Sequence, residues 1–327
     1  MICGAYVSHS SKKKRRTLCF FVNLSTGNRP PLFLQWKKMQ DIQTVVSNIR
    51  SLKIQGATNV ALAVLDTLEA HADLPTTELR TLGEQLAYAR PTEPLAQNAV
   101  RYIFAGNDIA ARIRDYRQCI TDGKQSIPQA GKSLLVDGGS YLTICHSSTA
   151  VALFRLAREN GAMFSVYVAE TRPLYQGRIT AKELLSLGFE DVTMVIDDVA
   201  VSMIEGRVGA IDAVFMGADL LTDTGFVNKV GSLAIATAAA MKGIPVYSLS
   251  SLLKFDPRPY TPSVIETRSA EEIWADAPKG LKFYAPAFDF VPFTATTRVI
   301  CEAGVIEGHQ VRVATEKIYP FISEGGK

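Results

Sequence analysis

The chain has 327 residues, enough for one large or two modest domains, and at 47% hydrophobic and 20% charged its composition is that of an ordinary globular protein. Eight of its 35 basic residues and none of its acids fall in residues 1–38, so the remainder carries 27 basic against 32 acidic residues. A mildly acidic body argues against a nucleic-acid platform, and no stretch stays apolar for the roughly 20 residues a membrane span needs. The first segment pairs the basic run Lys12–Arg16 with a short apolar patch, Leu18–Leu24. It resembles a weak signal peptide but lacks a clean cleavage site. Residues 1–38 therefore read as a disordered or mis-annotated leader, with Met39 the functional start. The competing reading is a basic tail that touches an acidic surface.

Met39–Ser51 places Ile42, Val45, Val46 and Ile49 on one helical face. Thr58–Ala72 repeats the pattern with Val60, Val64, Leu65 and Leu68. A third helix starts in Leu74-Pro-Thr-Thr-Glu78, where a Thr is expected to cap the first turn, and runs to about Arg90 before Pro91. One long helix is expected over roughly Leu95–Cys119. After Asp137-Gly-Gly139 the texture changes. Short apolar runs at Tyr141–Cys145, Met163–Ala169, Val192–Ile196, Ala210–Met216 and Pro245–Ser250 alternate with helical patterns at Thr149–Glu159, Thr180–Leu187, Asp198–Ile204 and Ser232–Lys242. That alternation predicts an α/β fold: a helical N-terminal domain (39–130), then a Rossmann-like, doubly wound parallel-sheet domain (131–327). The proline-rich residues 252–300 read as an irregular return segment.

The cysteines (Cys3, Cys19, Cys119, Cys145, Cys301) are scattered, with no zinc spacing and no CxxC pair. They point to a reducing cytosol without structural disulfides. No metal and no cofactor is expected, and Asp137-Gly-Gly139 alone is not a dinucleotide loop. Two residues stand where strands run into turns: Cys145 in Tyr141-Leu-Thr-Ile-Cys145 and Asp219 in Gly217-Ala-Asp219. In a parallel sheet, carboxyl ends of strands share one crevice, so a thiol and a carboxylate there form a candidate acid–base pair. The helix that Ser147-Ser148-Thr149 can cap would lower the thiol pKa. A buried structural cysteine and a turn aspartate are the competing readings. His146 points to the opposite face of an extended chain and is secondary. Asn228-Lys229, ahead of a helix, suit a phosphate or a sugar hydroxyl. Glu170-Thr-Arg172-Pro-Leu-Tyr-Gln176-Gly-Arg178 offers a two-arginine clamp, unless Glu170 simply pairs with one of them. Arg90 and Lys254 are further loop cations.

Taken together, these segments resemble the superfamily that contains ribose-1,5-bisphosphate isomerases, methylthioribose-1-phosphate isomerases and the regulatory subunits of translation initiation factor 2B. The resemblance covers about residues 39–310. It rests on Ile49-Arg-Ser-Leu-Lys-Ile-Gln-Gly-Ala57, Ala89-Arg-Pro-Thr92, Leu142-Thr-Ile-Cys-His-Ser147, Glu170-Thr-Arg-Pro173, Gly177-Arg-Ile-Thr-Ala-Lys-Glu-Leu184, Gly217-Ala-Asp219, Asn228-Lys-Val-Gly231 and Ala285-Pro-Ala-Phe-Asp289. The Cys145/Asp219 pair is similar to that of the enzymes and absent from the factor subunits. The Ala-Arg-Pro-Thr, Gly-Arg-Ile-Thr and Pro-Ala-Phe-Asp stretches look like the ribose-1,5-bisphosphate branch. Two positions depart from the pattern: Gln55 stands where the family has Arg, and Ile144 where it has His.

The resemblance implies an aldose–ketose isomerase in AMP and nucleotide degradation, cytoplasmic and built as a dimer or a dimer-based hexamer. Its partner would be a small sugar bisphosphate, with neither nucleic acid nor membrane involved. It assigns Cys145, as thiolate, to the C2 proton and Asp219, protonated, to the ring oxygen, the two roles being exchangeable. An enol phosphate is the implied intermediate. Gln55, Gly56, Ala57, Arg90, Arg172, Arg178, Asn228, Lys229 and Lys254 are the implied substrate contacts. The Gly56 and Ala57 amides stand in where Gln55 lacks a guanidinium.

Overall fold

The computed structural model describes residues 42–206 and 210–324; the leader expected over 1–38 lies outside them. The first two periodic segments fold as their spacing predicts. Helix α1 (42–50) buries Ile42, Val46 and Ile49, and α2 (Ala57–Ala70) buries Val60, Val64, Leu65 and Leu68. Helix α3 (Thr76–Ala87) begins without the threonine cap, because Pro75 takes the cap position and Thr76 already lies inside the first turn. The long helix expected over 95–119 is two: α4 (Pro94–Ile103) and α5 (Ile109–Gly131). The break at Gly106-Asn107-Asp108 is held by side chains. Asp108 accepts from the Ala111 amide at 2.8 Å, and Arg112 Nε donates to the Tyr102 carbonyl at 2.9 Å.

The sheet follows as β1 (Ser140–Ile144), β2 (Ser165–Ala169), β3 (Val192–Val195), β4 (Ala213–Gly217), β7 (Val246–Leu249), β9 (Thr297–Cys301) and β10 (Gly304–Glu307). Between these lie β5 (Leu220–Leu221), β6 (Gly225–Lys229) and β8 (Phe288–Pro292), which form a separate three-stranded antiparallel sheet. The main sheet has the order β10-β9-β7-β4-β1-β2-β3, parallel throughout except for β10. Helices α6 (Ser148–Glu159), α7 (Gln176–Ser186), α8 (Asp197–Ile204) and α9 (Ser232–Lys242) connect its strands. The central strands β1 and β4 are buried on both faces, as crossover helices require. The chain order reverses between them, so a crevice opens at their carboxyl ends.

The irregular return segment expected over 252–300 contains β8 and β9. Neither shows enough alternation to be seen locally, and each is made by pairing with a distant strand. The small sheet puts Asn228 and Lys229 on a strand, opposite Asp289 and Phe288. Asp289 in turn caps α9, accepting from the Gly231 and Leu233 amides at 2.7 and 3.0 Å.

Gly177, in the first turn of α7, has no room for a side chain: a Cβ there would meet the Ala169 carbonyl oxygen at 1.9 Å. That oxygen belongs to the backbone, so it cannot swing away. Gly177→Ala is expected to destabilise the fold by about 3 kcal/mol, read as a lower urea midpoint at unchanged slope. A midpoint equal to that of the parent protein would show that α7 does not seat on β2 in this way.

Candidate active site

Ile144 at the end of β1 pairs with Met216 of β4, so the residues after each strand emerge side by side. Cys145 leaves β1 with φ at +68°, a left-handed conformation that only a few per cent of non-glycine residues adopt. Two hydroxyls hold it there. The Cys145 amide donates to Thr171 Oγ1 at 2.9 Å, and Thr180 Oγ1 donates to the Cys145 carbonyl at 2.8 Å. Thr180 then has only lone pairs left for His146, whose Nδ1 lies 3.1 Å away and therefore carries the hydrogen. Thr171 is anchored by its own amide, which donates to Asp197. Strain upheld by surrounding bonds is characteristic of functional positions. Asp219 leaves β4 through Gly217 and Ala218, its amide donating to the Val227 carbonyl at 2.8 Å.

These two residues open on one crevice of about 460 Å³. Gln55, Gly56, Ala57, Arg90, Asn228, Lys229 and Lys254 also line it. Helix α2 begins there with no side-chain cap, Gly56 (φ +84°) occupying the cap position. Its first amides therefore present an anion site. The lysine ammonium of Lys254 donates to the Ala218 carbonyl at 2.7 Å, next to Asp219. Lys229 Nζ lies 4.7 Å from the centre of the Phe288 ring. Asn228 is buried and its amide donates to Ser232 Oγ at 2.8 Å, which fixes the side chain.

Arg172 and Arg178 lie outside the crevice lining, contrary to the expected clamp. Arg178 pairs with Glu170 and stacks over Tyr175 at 3.8 Å, while Arg172 bonds the Tyr175 hydroxyl and the Ile273 carbonyl. The same segment instead contributes Gln176, whose Oε1 is buried with no partner among the described residues. Arg90 reaches the lining with its guanidinium already committed to Glu93 and Glu266. Glu93 and Lys124 also line the crevice. The sequence offered only weak signals for them: Glu93 directly follows the Ala-Arg-Pro-Thr stretch, and Lys124 is one charge among many on α5.

The Cys145 thiol is raised on balance, where a lowered one was expected. Burial dominates and pushes it up to about 11; the Lys229 ammonium pulls it down, the Asp219 carboxylate raises it, and the His146 amide lowers it slightly. Helix α6 starts only at Ser148, and its cap Ser147 turns its hydroxyl to the Ala150 amide. Desolvation at this strand end outweighs what lowers the thiol, so it keeps its proton at neutral pH.

Residues 50–308 match the Initiation factor 2 subunit family. The chain is 30% identical to a protein named ribose 1,5-bisphosphate isomerase from Archaeoglobus fulgidus, over 88% of this chain and 96% of that one. It is also 30% identical to a methylthioribose-1-phosphate isomerase from Geobacillus kaustophilus, over 88% of this chain and 90% of the relative. Among solved structures, the translation initiation factor eIF-2B of Pyrococcus horikoshii OT3 superposes with a TM-score of 0.72 at 22% identity, covering 82% of this chain and 97% of that one. No helix among the described residues is long and apolar enough to cross a membrane.

Proposed function

The chain belongs to the Initiation factor 2 subunit family, and within it we propose an aldose–ketose isomerase that converts ribose 1,5-bisphosphate to ribulose 1,5-bisphosphate. One observation carries the reading: a strained cysteine and an aspartate emerge from adjacent parallel strands into a crevice lined by Lys124, Lys229, Lys254 and an uncapped helix start. A doubly phosphorylated sugar needs such a surplus of positive charge.

A phosphate on C1 blocks the spontaneous ring opening of a free aldose. A proton delivered to the ring oxygen lets the C1–O bond break, with its electron pair leaving on that oxygen. Loss of the C2 proton then leaves its electron pair as the C1=C2 bond of an enol phosphate. Loss of the C2 hydroxyl proton and addition of a proton at C1 complete the ketose. The protonated state of the Cys145 thiol supports assigning it to the ring oxygen and Asp219 to the C2 proton. That is the exchanged form of the pairing that the resemblance implied. Asn228 and Gln176 are suited to sugar hydroxyls, and the α2 amides with Lys229 and Lys254 to the phosphates. We read the protein as a cytoplasmic homo-oligomer, and light scattering on the purified chain tests the oligomer.

The reading is tested by incubating the full chain with ribose 1,5-bisphosphate and with methylthioribose 1-phosphate. Turnover of the bisphosphate alone supports it. Turnover of the methylthio sugar alone moves the protein to the other isomerase branch, and turnover of neither by folded protein favours a regulatory subunit. Lys254→Ala is expected to raise KM for the bisphosphate about 10- to 100-fold, the worth of a hydrogen bond to a charged group, with kcat little changed. An unchanged KM would remove Lys254 from phosphate binding.

A further inference from the structure

Glu93 borders the crevice near Asp219 yet has no part in the proton transfers assigned to Cys145 and Asp219. Its side chain is 1% exposed. Oε1 accepts from Arg90 Nη1 at 2.7 Å, and Oε2 has no hydrogen-bond partner among the described residues. A buried carboxylate oxygen without a donor is costly, whereas the same oxygen carrying a hydrogen is a donor awaiting an acceptor.

The charges around Glu93 favour the second state. Arg90 spends Nε and Nη2 on Glu266, at 2.8 and 3.4 Å, and only Nη1 on Glu93. Glu266 also accepts from Thr92 and lies 3.7 Å from Arg268, which pairs with Glu272. Two guanidiniums therefore face three carboxyls, and Lys254 and Asp219 on the sheet side offset one another. Glu93 is the most buried of the three, at 1% against 17% and 18% for Glu266 and Glu272. Burial pushes its carboxyl up to about 8; Arg90 opposes this, Asp219 adds to it, Lys254 opposes it and Glu266 adds.

We propose that Glu93 is a substrate-binding acid, which meets the sugar phosphate protonated and donates its Oε2 hydrogen to an acceptor oxygen of that ligand. The inference rests on the isomerase reading. An ionised Glu93 would set a bare negative oxygen against an anionic ligand. Binding is thus linked to one proton: the ligand binds tightly while Glu93 holds it, and from more alkaline solution it takes the proton up.

The test is calorimetric binding of ribose 1,5-bisphosphate to the full chain carrying Cys145→Ser, which should turn it over about 10²- to 10⁴-fold more slowly, at pH 7.5 and pH 9 in buffers of different ionisation enthalpy. Over that range the sugar phosphates (second pKa about 6) keep their charge. Affinity is expected to fall about tenfold at pH 9, as loss of the proton from a group near pH 8 dictates, with net proton uptake on binding. Adding Glu93→Gln should abolish both effects and retain binding at pH 7.5, because the amide nitrogen donates from the same place. Binding that is independent of pH in the Cys145→Ser protein, or a pH dependence that survives Glu93→Gln, overturns the proposal. A purely structural Glu93, holding only Arg90, would shift Tm in the Gln variant without touching the pH dependence. Absence of binding at either pH by folded protein sinks the isomerase reading as well, and so is told apart from pH-independent binding.

Discussion

Cys145→Ser is expected to lower kcat for ribose 1,5-bisphosphate by about 10²- to 10⁴-fold, the usual cost of losing a proton-transfer group, while the protein stays folded. Both bonds that hold residue 145 in its left-handed conformation go to its backbone, from Thr171 and Thr180. A serine side chain therefore leaves them in place, and melting should be close to that of the parent. The pH profile separates the two possible roles. With the thiol pushed up to about 11 by burial, a mechanism that uses its proton shows no rise between neutrality and pH 10 in kcat at saturating substrate, where the bound ligand keeps Glu93 protonated. A mechanism that needs the thiolate shows a tenfold rise per pH unit towards 11. Substrate phosphates would raise the thiol further, by like charge, and so favour the acid role. Near-parental turnover by Cys145→Ser would remove the residue from the chemistry altogether.

Asp219→Asn is expected to cost a similar factor, about 10²- to 10⁴-fold in kcat, with the amide occupying the same space. The Asp219 amide bond to Val227 is backbone and survives, so loss of activity would not reflect a lost turn. The substitution carries a second signature. The Asp219 charge raises both the Cys145 thiol and the Glu93 carboxyl, so removing it lowers both. Alkylation of Cys145 by iodoacetamide should then reach its half-maximal rate at a lower pH in the variant than in the parent. An unchanged alkylation profile would mean that the two groups do not share the crevice, whatever happens to kcat.

Several features of the fold and of the site were legible because they are local. Helices α1 and α2 announce themselves by apolar spacing, and the strands that end at Ile144 and Gly217 by short β-branched and aromatic runs. The positions of Cys145 and Asp219 follow from those strand ends. The split between α4 and α5 was also encoded, in Gly106-Asn107-Asp108, but an amphipathic pattern continues across it and hides the turn. Strands β6 and β8 pair Asn228 with Asp289. Neither strand is stable or recognisable without its partner, so no local pattern records them.

The sequence by itself determined the α/β architecture, the helical segment ahead of the sheet and the two strand ends that carry a thiol and a carboxylate, because hydrophobic period and turn residues act over a few neighbours. Only the tertiary structure decided which charges are available to a ligand. Arg172 and Arg178 are spent on neighbours outside the crevice, and Arg90 is claimed by Glu266, 176 residues away. The protonation of Cys145 and of Glu93 was decided there too, since desolvation depends on everything packed around a group and not on the residues beside it in the chain.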